Sequence, residues 1–527
     1  MAETEIRKYG LWQNVVLGLA FMAPALSFLA TFSLVLAAGF SWIAIPLDYL
    51  VAGIAATITA ISFAELVKAY PKSGSIWNFA EDTLGPKFGQ LSVWIYLLEL
   101  IVAPAAALIP VGFFAYYWLG IAPWVIVLVF AVVVMLLSIF GAVLSIRTMA
   151  ILFIIEIAIL FIFAGSSIGW SLSSGSYDIM AGLAFTPSGS LFGVAGIMVG
   201  ATVAIFSYIG YESSATMAEE TNEPTRNIPR AIVLSAILGT VIYTFLAWAF
   251  VLAIPTRGLF NLQYFFNPVP YMAEVIWGGG LANLLNFAGI LAGITSALAA
   301  VTATSRLVQK LGEDNILPTA FSKTKTKYIT PLASILFVSV VTLVLAEFVP
   351  WEVIVYVLAS GAIPAFILTN FLAYWHYKKD GWGIKNIVLH GLIPLAGIIL
   401  CSWFVIVGLP FRFQFMLLIW LVLGVFLVFV NACFRPKVFA RGTEMGTKPA
   451  VPKVHWLGLL LSLIALIVVV AGFAFWYNFY SGIILWWHIL APFASVDLLA
   501  TATTLVVAAA IFVGMGYSIL KRVEEVQ

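Results

Sequence analysis

The chain has 527 residues, 63% of them hydrophobic and only 9% charged. A soluble domain carries about 25% charged residues to cover its surface, so most of this surface must meet lipid, which excludes a cytosolic enzyme, a secreted domain and a disordered chain. The net charge of +2 supplies no global field for nucleic acid,.

The acidic start, Met1 to Glu5, runs into a long apolar stretch without a small-residue cleavage site, and it does not read as a removable signal peptide,. Residues 1–9 are expected to form a cytoplasmic tail. A spanning helix needs about 20 apolar residues, and polar breaks divide the chain into 14 candidate spans. The first five lie near 11–38, 42–67, 88–117, 123–144 and 148–171, and the next five near 193–218, 229–254, 280–310, 331–348 and 352–376. Four more follow near 388–409, 414–434, 456–476 and 499–520. The stretch 477–498, with Trp486, Trp487 and Pro492, reads as interfacial,. Cys401 and Cys433 lie in separate apolar runs and offer neither a disulfide framework nor metal spacing,.

Placing the N-terminus in the cytoplasm leaves only Arg257 and Arg412, of 25 Lys and Arg, on the outer side,. A wrong span count would scramble that split, so both termini are expected to be cytoplasmic, with residues 521–527 as the second tail. No loop is long enough for an independent core. The chain reads as one multi-pass membrane domain.

Two spans should not stay helical throughout. Helix 1 carries Pro24 at mid-span among small residues, and helix 6 carries the polar run Phe206-Ser-Tyr-Ile-Gly-Tyr-Glu212,. They occupy matching places, as first helix of two successive sets of five. An odd number of spans per set makes the second set enter the membrane inverted. Paired interrupted helices point to a transporter's central site, where half-helix N-termini attract anions and half-helix C-termini attract cations. A zwitterion would place its carboxylate on the former and its ammonium on the latter. The candidate binding residues are Ala20, Phe21, Met22, Ala23 and Ala25 of helix 1, with Phe206, Ser207, Tyr208, Ile209, Gly210 and Tyr211 of helix 6. A proline kink and a polar helix contact would leave the same trace.

Several motifs then fall in order at helix ends. Phe63-Ala-Glu-Leu-Val-Lys-Ala-Tyr-Pro-Lys-Ser-Gly-Ser75 is followed by Leu84-Gly-Pro-Lys-Phe-Gly89 and Trp94. The helix 6 run leads into Glu219-Glu-Thr-Asn-Glu-Pro-Thr-Arg-Asn-Ile-Pro-Arg-Ala-Ile232, and Thr304-Ser-Arg306 into Gly312-Glu-Asp-Asn-Ile-Leu-Pro318. This combination resembles the amino acid–polyamine–organocation (APC) permeases. Helix 1 reads Ala-Phe-Met-Ala-Pro-Ala in place of the commoner GxGxGIF, and Ser75 replaces a usual glycine.

The resemblance implies a five-plus-five inverted repeat (LeuT-like), all-α, with alternating access and four additional C-terminal helices. It implies cargo of amino acids or related amines, and no metal or organic cofactor. The repeats would be 10–171 and 193–377, followed by helices 11–12 at 388–434 and 13–14 at 456–520. In this reading the protein lies in the plasma membrane, in contact with lipid. Tyr70-Pro71 would end helix 2, Gly74 would permit the turn, and Pro229 would sit in the first turn of helix 7,. Glu65 and the Glu219–Arg230 cluster read as inner-gate ion pairs.

Carboxylates inside a membrane are costly and mark function by default. Asp48, Glu65, Glu99, Glu156 and Glu212 qualify, without Lys or Arg at comparable depth, so some are expected to be protonated or cation-bound. Glu156 stands about where some proton-coupled members of the resembling family carry a lysine, near the sodium site of coupled relatives. It is therefore the candidate H⁺ site, or a Na⁺ ligand. Ala292, Thr295 and Ser296 are the alternative Na⁺ place, although Ser and Thr also serve helix packing,. Glu212 is the candidate that follows cargo or protonation during closure. Tyr208 and Tyr211 either close over a bound amine or simply pack. His376, His390, His455 and His488 show no ligand spacing and read as interfacial.

The leading expectation is a secondary transporter of amino acids or small amines driven by H⁺, with exchange or Na⁺ coupling as alternatives. A channel would show charge rings or repeated pore segments. An enzyme would need a nucleophile–base pair or a metal cluster, and no such motif is present,.

Overall fold

Long apolar runs can satisfy their own backbone hydrogen bonds within lipid only as helices. The computed structural model describes residues 9–41, 43–70, 76–140, 146–174, 184–253, 267–313, 317, 319–322, 331–378 and 383–434. Among them it is helical, the sole β feature being an isolated parallel bridge between Tyr9 and Thr221.

Helix 1 is two helices, α1 (Leu11–Met22) and α2 (Pro24–Gly39). Then come α3 (Ile45–Ala69), the short α4 (Ile76–Leu84), α5 (Pro86–Leu119), α6 (Pro123–Ile139) and α7 (Ile146–Ser174). The second half opens with α8 (Gly193–Ala204), continues through 3-10 turns Ile205–Tyr208 and Tyr211–Glu220, and enters α9 (Pro224–Ala253). It proceeds through α10 (Pro268–Trp277), α11 (Gly279–Glu313), α12 (Leu332–Phe348) and α13 (Trp351–Tyr377). Last are α14 (Ile384–Gly408), which contains π turns at Ile387–Leu392 and Phe404–Gly408, and α15 (Phe411–Phe434).

Prolines start α2, α3, α5 and α6, where a missing N–H has no helical partner to lose,. The expected place of Pro229 is corrected: α9 begins at Pro224, which leaves Pro229 inside the helix, past its first turn. Asp48 lies in the first turn of α3, near one end of that span and away from its middle.

Ten of the described spans are long and apolar enough to cross a membrane, with the halves of helix 1 taken together. α6 and α12 are shorter apolar helices of 17 residues each, about 26 Å at 1.5 Å per residue. Helices 13–14, the 477–498 stretch and the C-terminal tail lie outside the described residues, as does the turn at Pro71 to Ser75.

The core lies where α3 packs along α9, and α5 along α11 and α13, around the broken helix 1. Small residues permit that closeness. A Cβ on Gly293 of α11 would stand 2.3 Å from Val111 Cγ2 and 3.1 Å from the Ala107 carbonyl of α5. The outer faces carry the opposite signature. Trp124, Leu128, Val132 and Leu136 of α6 are exposed at helical spacing, as are Ile151, Ile154, Ile155 and Ile162 of α7, which is a surface made for lipid,.

Candidate functional site

Pro24 has no N–H to donate, and its ring would clash with the Ala20 carbonyl in an unbroken helix. The chain resolves this at Ala23, whose backbone is left-handed at φ 44°, ψ 68°, a conformation that costs an L-residue about 1–2 kcal/mol. The freed groups find specific partners. The Met22 carbonyl accepts from Ser27 Oγ at 2.7 Å and from Tyr243 Oη of α9 at 3.2 Å. Because Pro24 lacks one, the first N–H of α2 belongs to Ala25, and it donates to Glu156 Oε1 of α7. A carboxylate at a helix N-terminus is electrostatically favoured.

The second break follows α8. The Ile205–Tyr208 turn ends in extended Ile209 (φ −62°, ψ 129°), and Gly210 takes φ 114° before the next turn. The Gly210 N–H donates to Glu212 Oε2 at 3.1 Å, so a carboxylate caps this break too. Gly210 is required twice over: its φ disfavours any L side chain, and a Cβ there would lie 3.0 Å from Phe21 C and Cβ,. The two breaks therefore touch.

Beside that contact is a cavity of about 140 Å³, lined by helix 1, the helix 6 break, α5, α11 and α13, well above the roughly 10–15 Å³ that one water needs by the same measure. Of the residues expected at the site, Phe21, Met22, Phe206, Ile209, Gly210, Glu212 and Ser296 line it. Ala20, Glu156 and Thr295 instead line, with Phe21, a separate recess of about 10 Å³, near the lower limit of roughly 10–15 Å³ for a single water. Thr295 Oγ1 donates within its own helix, to the Leu291 and Ala292 carbonyls at 3.2 and 2.9 Å, and Ala292 is buried.

Ala23, Ala25, Ser207, Tyr208 and Tyr211 are buried around the breaks and do not line either space. Tyr208 Oη donates to the Tyr49 carbonyl at 2.6 Å, and its ring meets Tyr243 edge-on, so it braces α3 and α9 against the break. Tyr211 packs on Phe366 with ring centroids 5.7 Å apart. Phe206 lines the cavity and meets Trp351 edge-on at 5.7 Å.

Sequence reasoning singled out Glu99 only as one intramembrane carboxylate among five, and passed over Tyr96. Both line the cavity from α5, with Leu100, Ala103, Ala106 and Ala107. A signal was present: these positions recur at the spacing of one helical face, and the carboxylate shares that face with small residues,. Glu99 is 2% exposed, and its Oε2 is buried with no hydrogen-bond partner among the described residues. No Lys, Arg or His lines the cavity among the described residues.

Glu65 pairs with Lys68 one helical turn on, which corrects the expectation that it lacks a Lys or Arg at comparable depth, and it also lies 3.3 Å from His390 Nε2 through Oε2. Tyr377 Oη donates to the Glu65 carbonyl at 3.0 Å, and its ring stacks on His390 at 3.9 Å. His376 Nδ1 is 2.9 Å from Tyr70 Oη. His376 and His390 thus both lie at the Tyr70 end of α3, while His455 and His488 are outside the described residues. Arg230 is exposed, and the side chain of Glu219 lies outside the described residues.

The family model described as amino acid permease matches residues 14–441. The chain is 26% identical over 453 residues to the low-affinity putrescine importer PlaP of Escherichia coli (strain K12), covering 83% of this chain and 96% of that protein. It is 23% identical over 411 residues to the methylthioribose transporter of Bacillus subtilis (strain 168), covering 73% and 85%. A third relative is the branched-chain amino acid permease BcaP of the same organism, 23% identical over 412 residues with the same coverage.

Proposed function

The chain belongs to the amino acid permease family, and on that premise we propose that it is a secondary transporter of amino acids or related amines, working by alternating access and driven by H⁺ symport. The observation that carries this reading is the meeting of two broken helices beside one cavity. Broken helices present unpaired backbone dipoles to a cargo and hinge where the halves meet. The five-plus-five inverted repeat has support in the packing: the two most extensive helix pairs, α3 with α9 and α5 with α11, join the second and third helices of each proposed set.

The two spaces suggest two roles. The cavity has room for cargo; the recess admits nothing larger than a water or an ion and holds Glu156, our assigned coupling residue. Its carboxylate bridges α7 to the start of α2, so a proton arriving there alters the bond that anchors the second half of helix 1. Glu212, on the cavity wall beside the second break, is the group we assign to sensing cargo during closure. Thr295 shares the recess with Glu156, which favours Na⁺ coupling through Ala292, Thr295 and Ser296 as the second reading. The positive-inside bias supports cytoplasmic termini, and we assign the protein to the plasma membrane by its family. Putrescine and branched-chain amino acids, in the names of two relatives, both fall within the proposed class of amino acids and related amines.

Purified protein in liposomes, offered labelled amino acids and amines under imposed pH and Na⁺ gradients, tests the reading. Saturable uptake with counterflow, driven by an acidic exterior, is the expected result. Gradient-insensitive, non-saturating flux would instead indicate a channel.

A further inference from the structure

We propose that Asp48 is a second proton-binding site, on the outer side, and that its proton keeps the outer halves of the two broken helices joined; its bearing on transport rests on the reading above. Those halves are α2, which follows the helix 1 break, and α8, which precedes the helix 6 break. Their outer ends are tied by main chain and one hydroxyl. Ser190 Oγ donates to the Gly39 carbonyl at 3.0 Å, the Leu191 N–H to the Phe40 carbonyl at 3.0 Å, and the Ala44 N–H to the Gly189 carbonyl at 3.3 Å. Glycines bring the backbones together, since a Cβ on Gly196 would stand 2.4 Å from the Gly39 carbonyl oxygen,.

Asp48 closes this joint from the first turn of α3. α8 omits a side chain to seat it: a Cβ on Gly200 would lie 2.6 Å from Asp48 Cγ and Oδ2. The carboxyl is fully buried; Oδ1 accepts from Ser41 Oγ at 3.0 Å, and Oδ2 has no partner among the described residues. Neither α2 nor α8 carries an ionisable side chain. The other elements packed on α3 are α9, α13, α14 and the two 3-10 turns. Near Asp48 they bring phenols, Tyr208 and Tyr243, around Tyr49. Because Tyr243 meets Tyr49 and Thr240 meets Thr57, α9 runs antiparallel to α3 and carries Arg226 and Arg230 toward its far end. Lys68, His376 and His390 gather there too, around Glu65 and Tyr70, about 25 Å along α3 at 1.5 Å per residue. Glu352 is exposed and paired with Arg412, Glu212 caps Gly210, and the Cys401 thiol meets Thr59. An ionised Asp48 in the closed joint would thus be a buried charge with one hydrogen bond and no described counter-charge, which is costly. A proton on the carboxyl removes that cost. Opening the joint admits outside water, which takes the proton and solvates the charge. Protonation and closure therefore favour each other, and outside pH sets how much of the time α2 and α8 move as one body.

In intact cells, with Cys401 and Cys433 replaced by serine, Ser190→Cys and Leu191→Cys variants of the full chain report on the joint through a membrane-impermeant thiol reagent. Ser190 is buried in the joint and Leu191 beside it is exposed, so the ratio of their reaction rates cancels the thiols' own response to pH. With Asp48 native, the ratio of the buried to the exposed position is expected to rise roughly ten-fold or more between outside pH of about 5.5 and about 8.5. Asp48→Asn keeps an acceptor for Ser41 but cannot ionise, and should hold the ratio at its acid value. A flat ratio with native Asp48 overturns the inference without recourse to any Asp48 variant, and an undiminished rise in folded Asp48→Asn overturns it as well. Both results leave the transport reading standing, because the labelling needs no cargo. Exchange of a labelled amino acid or amine at alkaline outside pH should be several-fold faster in Asp48→Asn than in the native protein, and equal rates overturn the role of Asp48 in transport. Absence of uptake of every amino acid and amine in the gradient assay overturns the transport reading, while the labelling ratio still decides for the joint.

Discussion

Ala23 and Glu156 decide whether the helix 1 break is a working part or a packing accident. Ala23 holds a left-handed backbone with a side chain that disfavours it. Ala23→Gly should therefore raise thermal stability by about 1 kcal/mol and leave uptake intact, whereas Ala23→Val should lower both; a melting comparison in detergent decides. Glu156→Gln keeps an acceptor for the Ala25 N–H but cannot be ionised. We expect the variant to bind cargo and exchange it, yet to lose the response to an imposed pH gradient. Undiminished pH-driven accumulation would remove Glu156 from the coupling role. Glu156 was legible as a candidate because a lone carboxylate amid isoleucines is expensive in lipid. Its partner was not, since nothing in the local pattern says which half-helix end it will meet 131 residues away.

Between elements, the breaks persist because neighbours satisfy what they expose. The Met22 carbonyl has two donors, one from α2 and one from α9. Ser27→Ala or Tyr243→Phe alone leaves one donor in place and should cost about 1 kcal/mol; the pair together leaves a buried orphan carbonyl and should cost more than the sum. Additive losses in thermal denaturation would mean that the carbonyl finds another partner. Gly210→Ala should abolish uptake and destabilise by at least about 1–3 kcal/mol, because left-handed backbone and contact with Phe21 both exclude a Cβ,. Both breaks could be read from Pro24 and from the polarity around Gly210, since those are local chemical contradictions of a lipid-facing helix. Their mutual contact, and the entry of Tyr96 and Glu99 into the same cavity, depend on how α5 packs. Periodicity gives the face that α5 presents but not the neighbour that it meets.

Across the whole molecule, lipid's demand for self-satisfied backbone explains why helices appear close to the bounds of the first twelve expected spans, ten of them long and apolar enough to cross a membrane,. The start of α9 was misjudged because a proline five residues inside a helix imitates one at its beginning,. The charge asymmetry makes a further demand on the assembled protein. Arg412 pairs with Glu352 at 2.9 Å on the side assigned as outer. With Cys401 and Cys433 replaced by serine, a cysteine at position 412 should react with a membrane-impermeant thiol reagent in intact cells, and one at Lys378 should not. The reverse pattern would invert the proposed topology.

The central claim is that cargo sits where the two breaks meet. An electron cryomicroscopy map of the full chain, reconstituted in lipid with a saturating amino acid or amine that the liposome assay shows to be taken up, tests it directly. The expected result is ordered density in the cavity beside the contact of Phe21 with Gly210, bordered by Tyr96, Phe206 and Ile209, and absent without the cargo. Cargo density elsewhere, with this cavity unchanged under conditions of saturable uptake, would contradict it.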